Sequence, residues 1–578
     1  MAQDVKACGP LLRFCGYDPA SHLWRGSALL VVRAPRDPLV ISLSAPGLAL
    51  EADGSVIELL HGCAVWRFAI EFRLGEREKR VEYSIRTARG APIAENHAFY
   101  APAAGEPWHW AAYSCNGLSH GTDAESVGGV ATMWTDLVDR HLSAPLHAAI
   151  GLGDQIYADG LFRGAPSLAG YFEGRRNGKG IRKGEVTDGM PGEVEAYYFQ
   201  HYCEHFSSPG MADAMASVPQ MMIWDDHDIF DGWGSYPASL QDCPIFQSIF
   251  AAARRYYLLF QHHTTAERAL ESPGTDLFCS NQGACLHFLR LMGPTVALLG
   301  LDTRSERTLT QVLSPKSWDT VFDQLSTLPP SVRHLVVALP LPITYPRLPM
   351  SYSLLRGLAG LNRIRTVNRM LSKAGWAEGL IAFNEPELLD DLWDQWVCPG
   401  HRDERRRLVN RLQSLAFDRQ LRITFISGDV HACSVGQFCS HPKVASPLID
   451  PRSMTSVVTS AIINKPPPAG ILAAQQFFDC PRRDANRHTH EELLRIFPKR
   501  GKVMGRRNWC EVSQASPHLG GGLAFTLWVE QEGAKGRATA PYAVEVPPLE
   551  EGYVVLAPGK VETMMDERWF GTGRAQGG

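Results

Sequence analysis

The stretch LHAAIGLGDQIYAD, residues 146–159, decides the fold because it joins a buried strand to a cluster of polar side chains. Its first half is a short apolar run, which is typical of a strand buried on both faces. Gly153 then lets the backbone turn, and Asp154 and Tyr157 follow close enough together to bind the same ion. Open α/β sheets bind ligands beyond the carboxyl ends of their strands. We therefore predict a functional site at this strand end.

Three other strand-like segments end in the same way. Apolar runs lead into WDDHD at 224–228, LDTR at 301–304 and SGDVH at 427–431. Helical stretches separate these runs, a pattern that indicates an α/β sheet sandwiched between helices. Because four strand ends can converge on one crevice, we predict a single catalytic domain over 106–578.

The first hundred residues show a different pattern. In AVWRFAIEFRL, residues 64–74, apolar and more polar side chains alternate, as in a strand with one buried face. A second alternating run at 80–85 follows the charged turn GEREK, which predicts a hairpin. Pro and Gly interrupt both periodicities in 101–110. We therefore predict an N-terminal antiparallel β-sandwich domain over 1–105.

Two segments of the catalytic region have no readable periodicity. Residues 160–193 combine many glycines with a basic strip and predict a long mobile loop beside the site. Residues 342–378 combine Pro, aromatic and basic residues, then a helix, and predict a second wall or a lid of the crevice. We expect both insertions to influence substrate choice.

The composition narrows the class of protein. The 578 residues are 45% hydrophobic and 20% charged, as in an ordinary globular protein. A net charge of -4 lacks the basic excess of nucleic-acid-binding domains, so we expect no nucleic-acid partner. Thirteen scattered cysteines, with no secretory signal and no apolar run of about 18 residues, predict a reduced, cytoplasmic protein without a membrane span.

The polar strand ends are suited to a two-metal hydrolase. Such a site needs an anionic bridging ligand, terminal ligands on each ion and a polarised water in line with the leaving group. Carboxylates at strand ends can supply the ligands. In SGDVH, Asp429 and His431 are two residues apart, so in an extended segment both side chains point to the same side.

These blocks resemble the motifs of the calcineurin-like metallophosphoesterases. The common forms GDxxD, GNHD and GHxH are replaced here by GDQIY, DDHD and GDVH. With YSCNG at 113–117, LDTR and SAIINKPP at 460–467, they look like the PhoD-type alkaline phosphatases across residues 110–465. The resemblance implies an α/β/β/α metallophosphatase sandwich after an N-terminal β domain, and hydrolysis of small phosphate monoesters or diesters.

The resemblance also implies a binuclear metal centre. In it, Asp154 would bridge the ions, and Cys115 and Tyr157 would bind ferric iron. Phenolate and thiolate donors suit Fe³⁺ and carboxylates suit Ca²⁺, the implied pair, with Zn²⁺ or Mn²⁺ as alternatives. The implied ligands are Cys115, Asp154, Tyr157, Asp226, Asp429 and His431.

Three further side chains have predicted roles at the substrate. His227 would donate a proton to the leaving oxygen, and its alternative role is to orient a neighbouring aspartate. Arg304 would clamp phosphate, because a guanidinium matches two phosphoryl oxygens, and its alternative is an ion pair with Asp302 or Glu306. Asn116 would be another donor. The competing functions are a non-catalytic metal-binding scaffold or sensor and a nuclease, for which no extended basic face is visible.

Overall fold

The computed structural model describes most of the chain and confirms a mixed α/β fold with large sheets. The described residues are 5–33, 37–119, 122–173, 185–271, 277–346, 394–442, 444, 446–478, 482–515 and 520–550. Among them, no helix has the length and apolar character needed to cross a membrane.

The secondary structure follows the predicted change from strands to alternating strands and helices. The strands are β1 (Val5–Asp18), β2 (Leu23–Arg33), β3 (Leu39–Ala45), β4 (Leu48–Leu60), β5 (Cys63–Arg73), β6 (Lys79–Thr87), β7 (Pro92–Ala101), β8 (Trp110–Tyr113), β9 (Ala148–Leu152), β10 (Gln220–Ile223), β11 (Phe278–Ser280), β12 (Cys285–Leu291), β13 (Val296–Gly300), β14 (His334–Leu339), β15 (Arg422–Ser427), β16 (Cys433–Ser440), β17 (Met454–Val458), β18 (Arg483–Asn486), β19 (Thr489–Leu493), β20 (Val503–Met504), β21 (Asn508–Gln514), β22 (Leu523–Glu530) and β23 (Thr539–Val546). The helices are α1 (Thr132–Ser143), α2 (Leu161–Gly164), α3 (Pro166–Glu173), α4 (Met190–His205), α5 (Met211–Ser217), α6 (Ala238–Gln241), α7 (Pro244–Tyr256), α8 (Ala266–Glu271), α9 (Pro315–Ser326), α10 (Arg402–Arg419) and α11 (Ala469–Phe478).

The first sheet has thirteen strands in the order β23-β22-β21-β8-β9-β10-β1-β2-β5-β4-β3-β6-β7. Its centre is parallel, because β8, β9 and β10 pair in parallel. The N-terminal strands join this sheet where β1 pairs with β10 at Arg13 and Gln220. Strand β4 pairs with β3 through its first half and with β5 through its second. The boundary at residue 105 and the N-terminal sandwich stay predictions.

The second sheet has the order β11-β12-β13-β14-β15-β17-β16-β19-β18, and β20 pairs with β16. Strands β13, β14, β15 and β17 are parallel, so their carboxyl ends lie at one edge. Every residue of β14 and β15 is buried. This burial explains the nearly continuous apolar sequence of β14, since parallel strands are covered on both faces.

Three apolar clusters hold the layers together. One lies between the two sheets and includes Ile150 of β9 together with Leu298 of β13 and Val336 of β14. A second joins the first sheet to α1, α4, α5 and α7. A third joins the second sheet to α9 and α10. The two sheets therefore share a core, while these helices cover their other faces.

The predicted loop over 160–193 is wrong for part of its length. Helices α2 and α3 occupy 161–173, and α4 begins at Met190. The glycines obscured the helical pattern, but Leu161 and Leu168 are fully buried in the helix-covered core. Residues 174–184 lie outside the described residues, as do 347–378 of the second insertion.

The inter-sheet core predicts a large cost for truncating Leu298. Its side chain is 0% exposed, so Leu298→Ala should lower the free energy of unfolding by about 2–5 kcal/mol through lost burial and an unfilled cavity. Leu59→Ala is the matched control, because Leu59 is 74% exposed and should change stability by less than about 0.5 kcal/mol. Urea denaturation measures both values, and equal stability losses would contradict the proposed location of the core.

Candidate metal centre

The carboxyl ends of both sheets meet at the candidate site. Cys115, Asp154 and Asp226 follow β8, β9 and β10, whereas Asp429 and Ser460 follow β15 and β17. This placement follows from the parallel pairing, which brings the ends of neighbouring strands to the same edge.

The contact between the two sheets is close at Ser114. The Ser114 hydroxyl donates to the Thr459 carbonyl at 2.9 Å, and the Ile462 amide donates to the Ser114 carbonyl at 3.0 Å. A Cβ atom on Gly428 would lie 2.3 Å from the Ser114 Cβ. Gly428 therefore permits the two strand ends to approach each other, which a larger side chain would prevent.

Three predicted ligands converge on one side of Asp154, which is a fourth. Asp154 Oδ2 lies 3.4 Å from Cys115 Sγ and 3.5 Å from the Tyr157 hydroxyl. The Tyr157 hydroxyl lies 3.0 Å from His431 Nε2. The candidate ligand atoms of Cys115, Asp154 and His431 are all within 4.8 Å of one another. The structure thus brings thiol, phenol, carboxyl and imidazole groups together.

Two further sets of candidate ligands, rich in carboxylates, extend the site. Asp154, Asp226 and His227 form one set with candidate ligand atoms within 4.8 Å, and Asp225, Asp226 and Asp429 form another. Asp154 and Asp226 each belong to two sets. Two adjacent ions with a bridging ligand require residues that are shared in this way. Together with the contact of Tyr157, the three overlapping sets bring all six predicted ligands into one site.

Burial strongly disfavours charge on these donors. It raises the pKa of Asp154 well above its usual range, an effect that His227 opposes and Asp225 reinforces. Burial, followed by the charge of Asp154, also raises the pKa of the Cys115 thiol, and burial raises the pKa of Tyr157. A bound cation reverses this balance, because it favours the anionic form of each ligand.

Two features of the site favour cation binding. Among the described residues, Asp154 Oδ1 and Asp225 Oδ2 are buried without a hydrogen-bond partner, although an unsatisfied buried oxygen is costly. In addition, four predicted ligands have left-handed backbones that cost about 1–3 kcal/mol each and cluster at functional sites. These are Cys115 (φ 52°), Asp154 (φ 53°), Asp429 (φ 68°) and His431 (φ 48°).

His227 is held by carboxylates beside the centre. Its Nδ1 lies 2.7 Å from Asp159 Oδ2, and its Nε2 lies 3.9 Å from Asp231 Oδ1. Its ring stacks on Tyr157 with centroids 4.2 Å apart. Burial opposes the imidazolium charge, but Asp159 and Asp231 outweigh it and raise the pKa of His227 well above its usual value. The contact with Asp159 and the stacking on Tyr157 therefore fix the orientation of the ring.

The contacts of Arg304 do not favour its predicted role as a phosphate clamp. Its buried guanidinium donates from Nε to Asp225, from Nη1 to the Trp233 carbonyl and from Nη2 to Asp394. The expected alternative is also incomplete, because the contact with Asp302 comes from the Arg304 backbone amide. The clamp stays a prediction, and the geometry indicates a role in holding aspartates.

Asn116 is likewise engaged inside the protein. Its Nδ2 donates to the Gln155 carbonyl at 3.2 Å, and its Oδ1 accepts from Trp134 Nε1 at 2.8 Å. These bonds connect α1 to the loop after β9. The substrate contact predicted for Asn116 stays a prediction, whereas its position supports the loop that carries Asp154.

Asp225 and Asp228, the other two carboxylates of WDDHD, have different partners in the structure. Asp228 accepts from the amides of Gln155, Ile156 and Asp225 at 3.1, 3.3 and 2.9 Å. It therefore fastens the loop after β9 to the loop after β10. Asp225 instead contributes a carboxylate oxygen to one of the candidate ligand sets.

Comparison with known proteins shows the family. A sequence profile described as PhoD-related phosphatase matches residues 73–364 and 358–520. The chain belongs to the PhoD-related phosphatase family. An uncharacterized protein of Saccharomyces cerevisiae, YGR266W, is 29% identical over 576 residues, with 87% of this chain and 80% of that protein covered.

Two solved structures are also similar to this PhoD-related phosphatase. The structure of PhoD is 14% identical, with coverage of 94% of this chain and 93% of PhoD and a TM-score of 0.49. A dimetal phosphatase from Danio rerio is 10% identical, with coverage of 77% and 100% and a TM-score of 0.26. Because both scores are below 0.5, the family assignment rests on the sequence profile.

Three residues at the centre of this PhoD-related phosphatase have no role predicted from its sequence. Asp159 contacts His227, and Ser460 Oγ lies 3.0 Å from Cys115 Sγ. Asn464 Nδ2 lies 3.5 Å from His431 Nε2. The signals were present, since Asp159 is in GDQIYAD and the other two are in SAIINKPP, but neither block specifies which side chains reach the centre.

Packing of Tyr157 against Gly117 generates a testable prediction. A Cβ atom at Gly117 would lie 2.4 Å from Tyr157 Cδ2, so Gly117→Ala should displace the ring and lower the free energy of unfolding by about 1–3 kcal/mol. Gly170→Ala in α3 is the control, because nothing lies within 4 Å of its added Cβ and alanine favours the helix by about 0.5–1 kcal/mol. Urea denaturation should therefore give changes of opposite sign, and a stabilised Gly117→Ala variant would refute the contact.

Proposed function

We propose that this chain hydrolyses small phosphate monoesters or diesters with two metal ions in the centre around Asp154. The observation that carries the proposal is the meeting of three candidate ligand sets that share Asp154 and Asp226. Membership of the PhoD-related phosphatase family supplies the reaction class. The buried oxygens without hydrogen-bond partners support occupation by cations rather than a purely structural cluster.

The donor chemistry suggests how the two ions divide the site. Cys115, Tyr157 and His431 offer sulfur, phenolate and imidazole ligands beside one oxygen of Asp154, a set suited to Fe³⁺. Asp226 and Asp429 offer carboxylate oxygens, which suit Ca²⁺. When bound, the ions supply positive charge that polarises the phosphoryl group and acidifies the attacking water.

His227 is our candidate general acid. As the oxygen of water bonds to phosphorus and the phosphorus–oxygen ester bond breaks, the leaving oxygen would take a proton from the imidazole. Asp159 holds the ring through Nδ1, and Tyr157 stacks on its face. The protein thereby orients the proton before reaction, an effect typically worth roughly 100 to 10,000-fold in rate.

The proposed location is the cytoplasm. The buried cysteines Cys8, Cys63 and Cys203, which belong to the described part of the chain, are free thiols. Free thiols are favoured by a reducing compartment, in which structural disulfides are rare.

Activity measurements test the proposed function. Asp154→Asn should lower kcat/KM on p-nitrophenyl phosphate or bis-p-nitrophenyl phosphate by more than about 100-fold, because it removes the charge shared by both ligand sets. Asp319→Asn is the control, since its side chain is 70% exposed and pairs with Arg411 at the surface. Chelation should abolish wild-type activity. A wild-type protein that binds metal but hydrolyses no phosphoester would instead support the scaffold hypothesis.

The ferric assignment has a separate optical test. Iron bound through the Tyr157 phenolate should give the protein a visible absorption band, and Tyr157→Phe should remove that band by removing the phenolate. Tyr100→Phe, at a tyrosine of β7, is the control and should retain the colour. A colourless, fully active wild-type protein would refute ferric iron while leaving the phosphoesterase proposal intact.

A further inference from the structure

Arg304 lies between the candidate metal centre and Asp394, a carboxylate that the proposed reaction does not use. Its Nε donates to Asp225, which belongs to a candidate ligand set. Its Nη2 faces two different carboxylates, Asp226 and Asp394. The Arg304 side chain is fully buried, so bulk water cannot replace either contact.

The two carboxylates are not equivalent partners. The distance from Arg304 Nη2 is 2.6 Å to Asp394 Oδ2 but 3.4 Å to Asp226 Oδ1. A charge-assisted hydrogen bond is normally about 2.7–2.9 Å long, so the strong bond is made to Asp394. Asp226 Oδ2 accepts from the Gly232 amide at 2.9 Å. The guanidinium therefore leaves Asp226 Oδ1 without a short ion pair.

Asp394 is itself held on the side away from the centre. Arg307 donates from Nε to Asp394 Oδ1 and from Nη2 to the Asp394 backbone carbonyl. The Ser235 hydroxyl donates to the same Oδ1 at 3.1 Å. A Cβ atom on Gly234 would lie 2.8 Å from three carbons of the Arg307 side chain, so this glycine makes room for the second arginine. Asp394 is thus a fixed anchor for Arg304.

We propose that Asp394 is a positioning residue that draws Arg304 away from Asp226 and keeps the Asp226 carboxylate available to a divalent cation. Without the charge of Asp394, Asp226 is the other carboxylate that the described residues place in an ion pair with Nη2. Arg304 would then compete with the cation for the same oxygen. This inference rests on the proposed function, because it assumes that Asp226 binds metal.

Metal affinity tests the inference without relying on catalysis. The full-length protein is stripped with a chelator and titrated calorimetrically with Ca²⁺, and separately with Mn²⁺. Asp394→Asn, which keeps the shape but removes the charge, should weaken binding by about 10- to 100-fold, the usual effect of altering a residue that supports a ligand. Unchanged affinity in the folded variant would overturn the proposal.

A matched variant and a double variant separate positioning from general destabilisation. Glu491→Gln also removes a buried carboxylate paired with an arginine, Arg405, and should leave metal affinity unchanged. The loss of metal affinity caused by Asp394→Asn should be smaller when Asp226→Asn is also present. The amide oxygen introduced by Asp226→Asn can still bind metal but carries no charge to attract Arg304. An undiminished loss in that background would overturn the route through Asp226.

Two further results distinguish the possible failures. If Asp394→Asn does not fold, Asp394→Ser replaces it, because the hydroxyl also removes the charge that holds Arg304 and should weaken binding similarly. Normal metal affinity in Asp394→Ser would refute the proposal. A wild-type protein that binds neither Ca²⁺ nor Mn²⁺ would refute the proposed function itself, whereas a metal-binding wild type with an equally tight Asp394→Asn variant would refute only the role of Asp394.

Discussion

The concentration of buried carboxylates around Asp154 is the constraint on which the rest of the centre depends. Burial raises the pKa of Asp154 well above its usual range, and it raises the pKa of Asp225 to about 7 even though Arg304 opposes the shift. Such a cluster is expensive without positive charge nearby. The surrounding fold brings these buried carboxylates together and partly neutralises their negative charge.

Assembly comes from strand ends and close backbone contacts. Parallel pairing brings Asp154 and Asp226 to one edge, and the second sheet brings Asp429 toward them. Gly428 allows the sheets to approach, while Asp228 ties two ligand-bearing loops together. Because each of these contacts involves residues distant in sequence, a displacement of one strand end would alter several ligands together.

Arg304 and Arg307 neutralise only part of the negative charge of the buried carboxylates, and the two arginines have different roles. Arg304 contacts Asp225, Asp226 and Asp394, whereas Arg307 contacts Asp394. The Arg304 guanidinium therefore lies against the candidate ligand carboxylates, and the Arg307 guanidinium holds Asp394 on the side away from them. In our proposal, the remaining negative charge at Asp154 and Asp226 is the part that metal ions balance.

The change from an N-terminal strand region to an α/β region can be predicted from the amino-acid pattern, and so can Asp154 and Asp429 as candidate ligands within their motifs. These features are local, since periodicity reports burial and a polar group after an apolar run marks a strand end. The contacts of Asp159 with His227 and of Arg304 with Asp394 follow instead from the packing of distant segments. The reason is physical: a side chain's residue type limits the partners that it can bind, but packing between distant strands and loops selects the partner that it meets.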